Sequence, residues 1–237
     1  MFFRKKVEKL EIKTDIHSHL LPIDDGVKSF DESLKLISKF ISLGYQKLII
    51  TPHVMEDSFN NSTEYILENF ERLKEEVKKA GLHIGLDISA EYYMDEEFAR
   101  RLEKKDLIPI KNRYILFETS YYEKPLNLEE MVFKILSKGY IPVFAHPERY
   151  RYITDMDYYF ALKEKGVLFQ CNIISFGSFY GKTAYKKAKF LAKNGLVDFL
   201  GSDAHSIKYV EFLSQVLEEN KFNQLLKGNK IKNNELI

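Results

Sequence analysis

The chain has 237 residues, 45% of them hydrophobic and 30% charged, with a formal net charge of +1. That balance is ordinary for a soluble globular protein with a sizeable core, and it argues against a nucleic-acid binder held by bulk charge. The one cysteine, Cys171, precludes an internal disulfide and fits a reducing, cytoplasmic setting, while no run approaches the roughly 20 apolar residues that span a bilayer.

In chain order, the opening Phe2-Phe3-Arg4-Lys5-Lys6 has no long apolar run behind its basic residues. It reads as part of a tail over 1–12 and not as a signal peptide. From there, short apolar or β-branched runs alternate with amphipathic helical patterns. Strands are predicted over 13–17, 47–51, 83–90, 114–118, 141–145, 167–172 and 197–201. Ser29 followed by Glu32 has capping-box spacing, and Asn127 with Glu130 is a looser version. Ser62 or Thr63, and Asp95, can cap two more helices. Gly44, Gly81, Gly139, Gly166, Gly195 and Gly228 each close a helical run. This alternation predicts a parallel sheet with right-handed crossovers. Without a Pro/Ser-rich linker, the seven units predict one α/β domain over 13–237, a single distorted (β/α)7 TIM-like barrel. The glycine-rich phosphate loop of an open doubly wound sheet is missing after the first strand.

Barrels of this type carry their chemistry at the carboxyl ends of the strands. Those ends hold His17 and His19, His53, Glu91, Glu118, His146, and Asp203 with His205. Residues i and i+2 of a strand share a face, so His17 and His19 can chelate one ion, and Asp203 and His205 repeat the spacing. Glu91 can bridge two cations through its two oxygens. Eight N/O donors exceed the needs of one ion and suit two or three divalent metals, with Mn, Fe or Zn all acceptable. His83 falls at the opposite end of its strand and is expected to be structural. Asp24 and Asp25 lie in Asp-Asp-Gly, which reads equally as a plain turn or as groups that orient a ligand or move a proton.

The set His17-x-His19, Thr51-Pro52-His53, Glu91, Glu118, His146-Pro147-Glu148-Arg149 and Asp203-Ala204-His205 resembles the polymerase-and-histidinol-phosphatase (PHP) superfamily. Within it, the stretches around Asp15 to Gly26, Ala145 to Tyr150 and Gly201 to His205 are similar to bacterial capsule-associated protein-tyrosine phosphatases. The resemblance implies a seven-stranded barrel and a trinuclear centre often loaded with manganese. It also implies a phosphotyrosine protein as substrate, namely an exopolysaccharide-associated tyrosine autokinase. Two departures stand out. Pro22 runs straight into Ile23, where the family commonly has glycine between them, and only Lys208 lies where members can carry a second arginine.

Clustered divalent ions suit hydrolysis of a phosphate monoester by metal-activated water. Arg149, three residues past His146, is placed to hold phosphoryl oxygens in a bidentate contact, or else to pair with Glu148 or Asp155 at the surface. Cysteine chemistry is excluded, because Cys171 lacks a following phosphate cradle and position 177 is glycine; Cys171 is expected to line the barrel. Tyr92, Tyr93, Tyr121, Tyr122, Tyr150, Tyr152 and Tyr180 can supply an aromatic rim, though with 15 Tyr and 18 Phe most of them are expected to be core. Rival readings are a small-molecule phosphatase such as one for histidinol phosphate, a nuclease, and a non-catalytic kinase-binding regulator.

Overall fold

The computed structural model describes residues 10–237. Residues 1–9, most of the expected tail, lie outside the described residues. The rest of that segment is tied down: Ile12 packs in the core, and the Leu10 amide donates to Asn223 Oδ1 at 2.7 Å.

The first half of the chain runs β1 (Thr14–Asp15), α1 (Phe30–Ser42), β2 (Lys47–Ile50), β3 (His53–Val54), α2 (Thr63–Lys79), β4 (Gly85–Ile88), β5 (Glu91–Tyr93) and α3 (Glu96–Lys104). The second half continues with β6 (Tyr114–Glu118), α4 (Leu128–Ser137), β7 (Ile141–Ala145), α5 (Asp157–Glu164), β8 (Leu168–Asn172), α6 (Gly181–Lys193), β9 (Phe199–Gly201), α7 (Ile207–Glu218) and α8 (Asn220–Leu226). Short 3-10 turns occupy Pro147–Arg149, Ile173–Gly177 and Asn233–Leu236. Every strand pair is parallel, in the orders β1-β2-β4 and β3-β5-β6-β7-β8-β9. Among the described residues, no helix is long and apolar enough to cross a membrane.

The strands predicted over 47–51 and 83–90 form as β2 and β4, and each is followed by a further short strand, β3 and β5, beyond its predicted end. The ladder that starts at Lys47 stops before Thr51-Pro52 and resumes at His53, because proline has no N–H to give it. Its neighbour breaks between Ile88 and Glu91 at the same level. Ser89 N to Ile50 O (2.8 Å) and Glu91 N to Pro52 O (3.0 Å) carry the backbone pairing across the gap. His83, the first residue of the range predicted as a strand over 83–90, lies before β4, exposed, with Nδ1 against Gly81 O at 2.8 Å. Between β1 and β9, Asp203 N donates to His17 O (2.8 Å) and His19 N to Ala204 O (3.0 Å), beside a parallel Ser18–Ala204 bridge. At the other end of that seam, Asn233 bonds the carbonyls of Thr14 (2.8 Å) and Leu200 (2.7 Å) and the amide of Leu200 (2.9 Å).

The strands divide the core into two layers by their alternation. Ile16, Ile49, Leu116, Val143, Ala145 and Phe199 form a small inner cluster, joined by Ile110, Tyr114 and Leu236. The other faces, among them Leu48, Ile50, Phe117, Phe144, Phe169 and Leu200, pack in the larger cluster shared with the helices. Cys171 is in this outer cluster, so it faces the helices instead of lining the barrel as expected. On the inner face, Leu116 leads to Glu118 and Leu168 to Gln170 and Asn172. The apolar plug therefore gives way to polar side chains at the carboxyl ends.

The helix boundaries follow local chemistry. Ser29 Oγ accepts from Glu32 N at 3.3 Å, but the Glu32 carboxylate reaches back to Lys28 N (2.7 Å), so the expected box closes one residue early. Ser62, not Thr63, caps α2, and Asp95 caps α3. Asn127 makes no side-chain cap bond. All six helix-closing glycines adopt positive φ.

Candidate metal centre

The eight donors predicted at strand ends converge at one mouth. Glu91 is the hub. Its carboxylate lies 3.1 Å from His17 Nε2, 3.4 Å from His19 Nε2, 3.2 Å from His53 Nδ1 and 2.9 Å from His146 Nε2. Glu118 stands 3.2 Å from His53 Nδ1, and Asp203 Oδ1 lies 3.5 to 3.6 Å from His17, His19 and His205. Ligand atoms within 4.8 Å of one another form four groups: His17–Glu91–His146, His17–His19–Asp203, His53–Glu91–Glu118, and His19–Asp25–His53–His205. Asp203 and His205 fall in different groups, although Asp203 Oδ1 lies 3.5 Å from His205 Nδ1. Asp25, which the sequence left undecided, is a ninth donor. Its Oδ1 lies 3.5 Å from His53 Nε2 and 3.4 Å from His205 Nε2.

The far nitrogens fix how these rings face. His17 Nδ1 is bonded to Gln170 Oε1 (2.8 Å), His19 Nδ1 to Asp24 Oδ2 (2.7 Å), and His205 Nδ1 to the Asp203 carbonyl (2.9 Å). All three partners are acceptors, so each Nδ1 carries the proton and each Nε2 turns a lone pair inward. The Nε2 atoms of His17 and His19 then face each other at 3.2 Å, among carboxylate oxygens. Glu91 Oε2 and His53 Nδ1 are buried without any hydrogen bond. A buried cluster this rich in lone pairs requires positive charge at its centre. The titration directions agree. Burial opposes charge on His17 and His19, yet Glu91 and Asp203 beside His17, and Asp24 with Asp203 beside His19, hold both rings above their usual range. Burial likewise opposes the charged form of Asp203, but His17 and His19 keep it well below. The residues fit divalent cations, which would displace those protons on binding.

Supporting bonds hold the donors in place. Asp24 Oδ2 also accepts from the His53 amide (3.1 Å), and Oδ1 from the Gly26 amide (2.9 Å). Burial would raise Asp24, but His19 pulls it down to about 2. Gly26 is required because a Cβ there would meet His19 O at 2.3 Å. Gln170 passes the contact on through Nε2 to Asn172 Oδ1 (2.9 Å), and Asn172 Nδ2 donates to Asp203 Oδ2 (2.7 Å). The sequence placed Gln170 and Asn172 within the strand predicted over 167–172 and gave them no role; their i, i+2 spacing on β8 was the signal for a shared inward face. His146 and Asp203 themselves have φ of 33° and 50°, a left-handed backbone that costs free energy outside glycine.

Arg149 faces this mouth. Its Nη1 donates to Asp203 Oδ2 at 2.8 Å, and its guanidinium lies 4.5 Å from the Tyr121 ring centre and 4.0 Å from that of Tyr180. Neither Glu148 nor Asp155 is its partner: Glu148 is buried and accepts from Asn172 N (2.9 Å) and Ser175 Oγ (2.7 Å). Lys208 is exposed over Phe179 and does not line the cavity. Of the tyrosines considered for a rim, Tyr92 and Tyr150 are core, whereas Tyr121 lines the metal cavity of about 260 Å³ with Phe59 and Tyr209.

The family model described as "Capsular polysaccharide synthesis, CpsB/CapC" matches residues 13–211. The chain belongs to the CpsB/CapC family. It is 31% identical to the "Putative tyrosine-protein phosphatase CapC" of Staphylococcus aureus, over 87% of this chain and 83% of that protein. It is 30% identical to the "Tyrosine-protein phosphatase YwqE" of Bacillus subtilis, over 85% of this chain and 80% of that protein. A solved CpsB/CapC-type structure superposes with a TM-score of 0.80 at 28% identity, covering 92% of this chain and 96% of the other. It is described under "YwqE from Bacillus subtilis and CpsB from Streptococcus pneumoniae, unique metal-dependent tyrosine phosphatases". The lactonase Lmo2620 of Listeria monocytogenes shares the fold at a TM-score of 0.59 and 12% identity, covering 94% of this chain and 93% of that one.

Proposed function

We propose that this CpsB/CapC member is a metal-dependent protein-tyrosine phosphatase. Its ligands are His17, His19, Asp25, His53, Glu91, Glu118, His146, Asp203 and His205, arranged for two or three divalent ions, with manganese first among them. The observation that carries the reading is the ring of lone pairs around Glu91, open to a cavity that Arg149 faces. Bound divalent cations neutralise phosphoryl oxygens and bring the pKa of a coordinated water to about 7.

The chain's own groups supply the rest. Arg149 has donors left after its bond to Asp203 and can hold two phosphoryl oxygens at once. The rings of Tyr121 and Tyr180 both pack against the guanidinium. Phe59, Tyr121 and Tyr209 give the mouth an aromatic lining that suits an aryl phosphate. A phenol, with a pKa of about 10, leaves with little help from a general acid. The similarity to proteins named tyrosine-protein phosphatases supports the same substrate class, and we take the substrate to be an exopolysaccharide-associated tyrosine kinase in the cytoplasm. The two sheets are read as one ring of seven strands in a single domain over 13–237, with β2–β3 and β4–β5 each counted as one interrupted strand.

The test compares rates on a phosphotyrosine peptide, a phosphoserine peptide, histidinol phosphate and single-stranded DNA. The phosphotyrosine peptide is expected to lead, with activity lost to a chelator and restored by manganese. Arg149→Ala should lower kcat/KM about 100-fold or more, the scale of one charge-stabilising donor. A faster rate on histidinol phosphate would replace this reading with a small-molecule phosphatase.

A further inference from the structure

Beside the metal mouth lies a second cleft, of about 600 Å³. It shares Tyr121 and Arg149 with the metal cavity and extends outward over Tyr122, Arg151 and Lys182. Three cationic side chains line it and no carboxylate does. Arg149 is engaged by Asp203, but among the described residues Arg151 and Lys182 are exposed and enter no ion pair. Arg151 is placed by its amide, which donates to the Tyr121 carbonyl at 2.7 Å, and its guanidinium lies 5.0 Å from the Tyr122 ring centre. Lys182 is in the first turn of α6, which has neither an acidic residue nor a side-chain cap, so its free amides add to the positive potential.

We propose that this cleft is an anion subsite, in which Arg151 and Lys182 hold an acidic side chain or a second phosphotyrosine next to the phosphotyrosine being hydrolysed. The proposal rests on the phosphatase reading above. Because the two cavities share Tyr121 and Arg149, a peptide with its phosphotyrosine at the metals lays adjacent residues in the cleft. An anion there meets two cations with no competing carboxylate, whereas a neutral residue gains nothing from them. Arg151 and Lys182 are specificity residues by this account, since neither touches the metal cavity.

The experiment uses the metal-loaded full chain and three phosphotyrosine peptides that differ only in the flanking residue: Gln, Glu or a second phosphotyrosine. The wild type should favour an anionic flank by about fivefold in kcat/KM, through KM, the scale of a pair of exposed ionic contacts. Added salt should erode that preference. The Arg151→Ala/Lys182→Ala double variant should bring the three peptides level, while p-nitrophenyl phosphate, which has no flank, keeps its rate. Arg151→Glu should turn the preference toward Gln. A gain confined to the doubly phosphorylated peptide supports the subsite and assigns it to phosphate over carboxylate. Equal turnover of all three peptides by the wild type, or equal losses on all three in the variant, overturns the subsite and leaves the phosphatase reading standing. Hydrolysis of p-nitrophenyl phosphate with no peptide hydrolysed overturns both.

Discussion

Glu91 shows how much one residue's setting decides. Four histidines from three other segments close on its carboxylate, and its Oε2 makes no hydrogen bond. A charge of either sign alone would be expensive here; the centre is stable only when carboxylates and cations balance. Asp24 has a different task. It does not line the metal cavity, yet one carboxylate secures the ring of His19, the backbone of His53 and the turn at Gly26. Asp24→Ala should therefore weaken metal affinity by about 10- to 100-fold, as loss of a ligand's supporting bond does elsewhere. Metal titration by calorimetry checks this; an unchanged affinity would leave Asp24 as a turn residue only. The Asp-Asp-Gly stretch could not be resolved from sequence because both residues suit a turn. In the fold, Asp24 points in toward His19 and Asp25 lines the mouth beside His53 and His205.

At the scale of elements, helix starts and stops were legible because they depend on neighbours within four residues. Ser62 Oγ accepts from Tyr65 N at 3.1 Å at an exposed helix start, and its side chain does not line the metal cavity. Ser62→Ala should cost about 1 kcal/mol and lower Tm by about 2 to 4 °C, with activity unchanged. A thermal melt and a rate assay on the same sample check it. Strand ends were less legible. Pro52 marked its own interruption, but the matching break at Ser89-Ala90 has no proline and follows from pairing with the neighbouring segment. The side of β8 on which Cys171 falls was likewise set by pairing: the register with β7 and β9 turns Gln170 and Asn172 inward and Cys171 toward the helices.

For the whole molecule, metal bound at this centre should also act as a fastener. His17, Glu91, His146 and Asp203 lie on four separate parts of the sheet, and β1 meets β9 through few backbone bonds. Ions held by all of them should stabilise the fold by mass action, about 2.7 kcal/mol at one hundred times Kd. Stripping the metal is expected to lower Tm by about 5 to 10 °C, reversibly on adding manganese. A melt that ignores the chelator would argue against ligands drawn from across the sheet. The sequence by itself determined the alternation of strands and helices, the helix limits and the eight donors at strand ends, because periodicity, capping and the i, i+2 rule act over short separations. Only the tertiary structure decided which donors lie close enough to share an ion, that Asp25 comes beside His53 and His205, and that Arg149 answers to Asp203. Those facts depend on residues up to about two hundred positions apart being brought within a few ångströms, and no local pattern encodes that distance.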